Sequence, residues 1–144
     1  MDSDTADTPP APLAPRILVV EDEDTLRRVM VRNLTARGFI VDEAETMAGA
    51  LELLERTKPR LVFLDIELPD GTGWELLRTA QARGLHPAVV IVSAVQARAD
   101  RIAQFSPVAV LRKPFPLESL LRLAAEWATP ETWPAPGDAR PRRA

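Results

Sequence analysis

The chain has 144 residues, a formal net charge of −3, 46% hydrophobic and 27% charged residues, and no cysteine. This length suits one domain with a proper core; the mild acidity offers no global attraction to nucleic acid or anionic lipid, and the lack of cysteine excludes disulfides, thiol catalysis and thiolate metal sites. No apolar run approaches the roughly 20 residues needed to cross a bilayer, and the N-terminus lacks the charged start and apolar core of a signal peptide, so a cytoplasmic protein with no membrane partner is expected.

Proline is the unusual component, at 14 residues. Pro9, Pro10, Pro12 and Pro15 lie in an acidic opening stretch, and Pro130, Pro134, Pro136 and Pro141 lie near the other end. Such composition favours extended, flexible arms. The expected organisation is a flexible lead-in over 1–15, one folded domain over 16–128, and a flexible Pro/Arg tail over 129–144.

Within the folded part, residues 17–20 (Ile-Leu-Val-Val) form a short apolar run that ends in four acids, Glu21, Asp22, Glu23 and Asp24. A run of this kind reads as a strand buried on both faces. Asp24 and Thr25 can cap a helix whose apolar positions are Leu26, Val29, Met30 and Leu34, and Gly38 stops it. Residues 39–41 read as a second strand. Thr46 caps a second helix with Ala50, Leu51, Leu53 and Leu54 on one face, closed by Lys58-Pro59. Residues 61–64 form a third strand that runs into Asp65, and the turn Leu68-Pro69-Asp70-Gly71 follows. Residues 74–83 are helical with Leu76 and Leu77 inward, ended by Gly84, and His86-Pro87 is a loop. Residues 88–92 form a fourth strand that runs into Ser93. A weak helix over 96–105, a fifth strand over 108–111 leading to Arg112-Lys113-Pro114-Phe115, and a helix over 117–127 complete the series. Its apolar face is Leu117, Leu120, Leu121 and Ala124, and Trp127 is expected in the core. Alternation of apolar strands with helices predicts an α/β fold with a parallel sheet covered on both faces.

In a parallel sheet the carboxyl ends of all strands share one edge, where open α/β sheets bind ligands. That edge would collect Glu21 and Asp22, Asp65, Ser93 and Lys113. Each has a plain structural reading alone: capping acids, a turn-forming Asp, a turn Ser, a solvated Lys. Together they have the parts of a phosphoryl site. A hard divalent cation relieves repulsion among clustered carboxylates, and Mg²⁺ suits one or two carboxylates, waters and a phosphoryl group. A carboxylate beside a metal can act as a nucleophile. The ammonium of Lys113 and the hydroxyl of Ser93 could each take a phosphoryl oxygen.

The segments ILVVEDE, LVFLDIELPDGTG, VVIVSA and LRKPF, in this order and spacing, resemble the receiver domain of bacterial two-component response regulators over about 16–127. The resemblance implies a flavodoxin-like (βα)5 fold, a doubly wound five-stranded parallel sheet of order 2-1-3-4-5. It implies that Asp65 accepts phosphate and that Glu21, Asp22, Asp65 and the backbone carbonyl of Glu67 surround Mg²⁺. It further implies that Ser93 and Lys113 hold the phosphoryl group, and that the Lys113–Pro114 bond is often cis. The implied activity is phosphorelay signalling in which the chain promotes its own phosphotransfer and dephosphorylation, with no separate substrate turned over. The implied partners are a histidine kinase or phosphotransfer protein and a downstream protein target on the face of the fourth helix, fifth strand and fifth helix. One departure concerns that face: the aromatic residue usual three positions before the lysine is Val110 here.

Three other readings stand beside this one. The chain could be a phosphate-independent binding module that kept the fold, or the receiver part of a longer DNA-binding regulator. The third is a phosphohydrolase, since Asp22, Asp24 and Thr25 resemble a D-x-D-x-T motif but fall one residue short of it. No direct nucleic-acid contact is expected within the chain, since about seventeen residues after Trp127 are too few for a helix-turn-helix module. The small basic cluster Arg140, Arg142 and Arg143 reads as a solvated tail. Trp133 could pin that tail.

Overall fold

The computed structural model describes residues 15–129. The arms expected over 1–15 and 129–144 lie, apart from Pro15 and Thr129, outside the described residues, as do Trp133 and the Arg140 cluster. Pro15 and Thr129 themselves are buried, and the Pro15 carbonyl accepts a hydrogen bond from the Ile40 amide at 2.9 Å.

Five parallel strands make the central sheet: β1 (Arg16–Val20), β2 (Ile40–Ala44), β3 (Leu61–Asp65), β4 (Ala88–Ser93) and β5 (Ala109–Arg112). Their spatial order is β2-β1-β3-β4-β5, the expected doubly wound arrangement. Five helices connect and follow them: α1 (Asp24–Ala36), α2 (Met47–Thr57), α3 (Gly73–Ala82), α4 (Ala99–Phe105) and α5 (Leu117–Trp127). Successive strand residues point to opposite faces, and this alternation splits the core in two. Leu18, Val20, Val62, Leu64, Val89 and Ile91 pack under α2 and α3, while Ile17, Val19, Leu61, Phe63, Val90 and Val92 pack under α1 and α5. Both faces being covered accounts for the near-continuous apolar strands.

The helix boundaries differ from the sequence expectation in informative places. Thr46 caps α2 as expected, accepting from the Gly49 amide at 3.0 Å. For α1 the N-cap is Glu23, without a side-chain cap, and Asp24 already lies in the first turn. The second strand starts later and runs further, to Ala44, because its pairing with β1 continues through Val20↔Ala44. The weak helix begins at Ala99 rather than 96. The Ser93 hydroxyl bonds both the carbonyl and the amide of Val95, which commits that backbone to a turn. No residue of α4 is buried; its last residue, Phe105, stacks on Trp74 of α3 with ring centroids 5.8 Å apart. In α5, Leu120 and Ala124 are buried, Leu121 and Trp127 are partly buried against the core, and Leu117 is exposed.

Strand register aligns the carboxyl ends of the strands along one edge. Val20 pairs with Leu64, Asp65 with Val92, and Ser93 with Arg112. Glu21 follows β1 directly, and Lys113 follows β5 directly. Four loops from distant parts of the sequence therefore meet at the carboxyl edge of the sheet.

Candidate functional site

Asp65 ends β3 and is 4% exposed. Its Oδ1 accepts from the Glu67 amide at 3.0 Å and its Oδ2 accepts from Lys113 Nζ at 3.1 Å. The chain leaves β3 through a two-residue antiparallel ribbon, Glu67–Leu68 against Gly71–Thr72. It then enters α3 with a full capping box: the Thr72 hydroxyl accepts from the Glu75 amide, and the Glu75 carboxylate accepts from the Thr72 amide. Gly73 sits against the strand end so closely that a Cβ there would lie 2.8 Å from the Asp65 carbonyl oxygen. A glycine is required by this approach of backbone to backbone.

Lys113 reaches inward from the end of β5, just before the cis Lys113–Pro114 bond. Besides Asp65, its Nζ donates to Glu21 Oε2 at 3.2 Å. Glu21 is 1% exposed. Burial pushes its carboxyl up to about 7, against opposing hydrogen bonds from the Glu23 amide and Lys113. Burial also disfavours the Lys113 ammonium, yet its hydrogen bonds to Glu21 and Asp65 outweigh that and hold it above its usual value. A partly buried ammonium shared by two buried carboxylates is the charge pattern of a site that handles an anion.

Glu21, Asp22 and Asp65 each bring a carboxylate oxygen within 4.8 Å of the other two. Glu21 Oε1 is buried and ion-paired with Lys113 Nζ at 3.0 Å. Two buried carboxylates and an exposed one with oxygens this close form a donor set that fits a hard, oxygen-seeking divalent cation. Asp22 is exposed, so the third carboxylate stands at the mouth of the site.

Ser93 lies at the end of β4, 1% exposed. Its Oγ donates to the Val95 carbonyl at 2.6 Å and accepts from the Val95 amide at 3.1 Å. It belongs to the same edge, but its hydroxyl is turned to its own loop. Glu67 holds Asp65 through its amide, and its side chain is exposed. Val110 is 38% exposed on β5. His86 lies apart, lining with Leu54, Val62 and Phe105 a cavity of about 120 Å³ near the start of β4, away from the carboxylates.

Two residues of this region escaped sequence reading. Arg27, 9% exposed, extends from α1 under the acidic turn; the only hint is a charge in the buried register of Met30 and Leu34. Asp70, which reads as a turn former, accepts from the Met47 and Ala48 amides at 2.7 and 3.1 Å. These bonds hold its carboxyl below the usual range and tie the loop after β3 to the N-terminus of α2. A partner 22 residues away leaves no local signal.

Residues 17–125 match the family model of the response regulator receiver domain. The KDP operon transcriptional regulatory protein KdpE of Escherichia coli is 39% identical over 126 residues, 83% of this chain and 55% of that protein. The response regulator MprA of a Mycobacterium species is 33% identical over 108 residues, 74% of this chain and 47% of that protein. The chain thus spans about half the length of these curated relatives. Among solved structures, a CheY-like response regulator receiver domain protein from Methanospirillum hungatei is similar with a TM-score of 0.74 at 26% identity, covering 79% of this chain and 93% of that one. The non-phosphorylated HemR receiver domain from Leptospira biflexa gives 0.68 at 28% identity, covering 74% and 88%.

Proposed function

Because the chain belongs to the response regulator receiver family and serves two-component signalling, we propose that Asp65 is its phospho-acceptor and that phosphorylation there switches protein–protein contacts. The observation that carries this is the Lys113 ammonium bridging Asp65 and Glu21 at the sheet edge. A histidine kinase or phosphotransfer protein donates the group. An Asp65 carboxylate oxygen attacks phosphorus, the O–P bond forms as the P–N bond to the donor imidazole breaks, and the imidazole nitrogen keeps the electron pair.

This chain's residues position and neutralise. The Glu67 amide fixes the Asp65 carboxylate, and Lys113 follows charge onto a phosphoryl oxygen. Ser93 Oγ takes a second oxygen once it exchanges its bonds to Val95. Asp22, Asp65 and the Glu67 carbonyl, with Glu21 beside them, would hold Mg²⁺, which would supply charge neutralisation for the phosphoryl oxygens. The same arrangement supports slow return of the phosphoryl group to water, so the chain promotes both its phosphorylation and its dephosphorylation and turns over no separate substrate. The domain spans 16–128 in this reading, and its place is the cytoplasm; no described helix is long and apolar enough to cross a membrane.

The output surface is the face of α4, β5 and α5, to which Val110 and Leu117 contribute exposed apolar side chains, with Val95 exposed in the loop before α4. With Val110 in place of a ring, the signal passes through the Ser93–Val95 turn to α4, the helix with no buried residue. The greater length of the relatives, one of them a transcriptional regulatory protein, favours a second reading in which the same domain governs a DNA-binding part of a longer regulator. Phosphorylation is tested with a small phosphodonor and Mg²⁺, followed by intact mass. Switching is tested by partner capture with and without the donor. Equal capture under both conditions, unchanged in Asp65→Asn, would establish the phosphate-independent binding module instead.

A further inference from the structure

Arg27 is a positively charged side chain buried beside the carboxylates that the proposed reading assigns to a divalent cation. Charge alone makes it a poor neighbour for a metal, so its presence needs another cause. Its guanidinium is spread over three partners. Nη1 donates to the Glu21 carbonyl at 2.8 Å, Nη2 to Asp24 Oδ1 at 2.7 Å, and Nε to Glu43 Oε1 at 2.9 Å. Glu45 Oε2 lies 3.9 Å away. A planar fork holds its donors in fixed directions, where an ammonium on a flexible stem offers rotatable ones.

The bond to the Glu21 carbonyl matters most. That carbonyl belongs to the peptide unit joining Glu21 to Asp22. The Glu21 amide on the other side donates to the Ala44 carbonyl at 3.0 Å. The residue is therefore clamped from both sides, by β2 through its N–H and by Arg27 through its C=O. A planar peptide transmits that orientation directly to the Cα of Asp22. Asp22 is exposed and offers a carboxylate oxygen to the cluster, so its direction rests on the backbone beneath it. Asp24 and Glu43 aim the guanidinium from the start of α1 and from β2.

We infer that Arg27 is a positioning residue of the metal site: through the Glu21 carbonyl it sets the direction of the Glu21–Asp22 carboxylate pair. The inference rests on the proposed Mg²⁺-dependent phosphorylation, and it deepens that reading. Its distinguishing consequence is a sign. If Arg27 acted only as a charge, its removal would strengthen divalent-cation binding. If it only stabilised the fold, its removal would lower the melting temperature and leave cation affinity unchanged. As a positioning residue, its loss weakens cation binding despite the lost repulsion, by about tenfold or more.

The experiment is calorimetric titration of MgCl2 into the full chain for wild type, Arg27→Gln and Arg27→Lys, with melting temperature and circular dichroism alongside. Both variants are expected to bind Mg²⁺ about tenfold more weakly than wild type, Arg27→Lys included, since it keeps the charge and loses the fork. Equal or tighter binding in either folded variant overturns the inference while wild-type binding leaves the phosphorylation reading standing. A wild type that binds no Mg²⁺ overturns both. Should the Arg27 variants fail to fold, Glu43→Ala against Glu45→Ala decides. Each removes one nearby negative charge, but only the first removes a hydrogen-bond acceptor of Arg27. Weaker Mg²⁺ binding in Glu43→Ala than in Glu45→Ala supports the inference, and equal binding overturns it.

Discussion

The Lys113 ammonium lies 3.1 Å from Asp65 Oδ2 and bridges from there to Glu21. Replacing it by Met leaves two buried carboxylates facing each other without a countercharge. Phosphoryl uptake at Asp65 is expected to fall by about a hundredfold, the scale of losing one aimed donor in a water-poor site. Mg²⁺ affinity should hold or rise, because a positive neighbour has gone. Mass-detected uptake from a small phosphodonor and a parallel Mg²⁺ titration separate the two. Loss of both together would mean that the site had collapsed.

The raised pKa of Glu21 gives the metal-free protein a specific pH dependence. Between about 4.5, its ordinary value, and about 7, its folded value, the folded state holds the proton that the unfolded state has released. Stability therefore falls as pH rises through that window. The raised Lys113 pKa acts elsewhere: its contribution is full below its ordinary 10.5 and is lost as pH climbs beyond that. Mg²⁺ must compete with the Glu21 proton. The rise in melting temperature on adding saturating Mg²⁺ is expected to be larger at about pH 8 than at about pH 6. Thermal scans at both values check it, and a gain independent of pH would disconnect Glu21 from the metal.

Gly73 is expected to tolerate no side chain. An alanine Cβ would meet the Asp65 carbonyl oxygen at 2.8 Å, and backbone on both sides leaves little room to give. Gly73→Ala should cost about 1–3 kcal/mol, the range for overpacking. It should also slow phosphoryl uptake beyond what the lost stability explains, since the strain falls on Asp65, the proposed acceptor. Urea unfolding together with uptake kinetics on the folded fraction tests this.

Asp70 joins the loop after β3 to α2 through the Met47 and Ala48 amides. Asp70→Ala should lower the melting temperature at neutral pH, with Asp70→Asn between it and wild type because one oxygen acceptor remains. A carboxylate whose folded pKa is depressed contributes stability above its unfolded value and loses it as pH falls through the folded one. The wild-type advantage should shrink below about pH 4. Scans across that range check the direction; an advantage that persisted in acid would mean that these bonds are not the cause.

Much of this architecture was legible because the chain repeats one device, an apolar run that stops at a polar residue. Residues 17–20 before Glu21, 61–64 before Asp65 and 88–92 before Ser93 all announce a strand and its functional end. The side chains that tune the edge follow no such rule. Arg27 also depends on Glu43 of β2, and Asp70 depends on the α2 terminus, and neither partner is near in sequence. Ahead of α4, the Ser93 hydroxyl bonds Val95 twice and holds the start of that connection out of a helix. That bond competes with helix formation through local geometry that composition does not encode.

The central claim is that Asp65 receives a phosphoryl group in a metal-dependent step. Intact-mass measurement of the folded chain after incubation with a small phosphodonor, with and without Mg²⁺, tests it most directly, with Asp65→Asn as the companion. The account predicts one phosphoryl group on the wild type only when Mg²⁺ is present, and none on Asp65→Asn. A folded wild type that gains no phosphoryl group, or an Asp65→Asn variant that gains it equally, would contradict it.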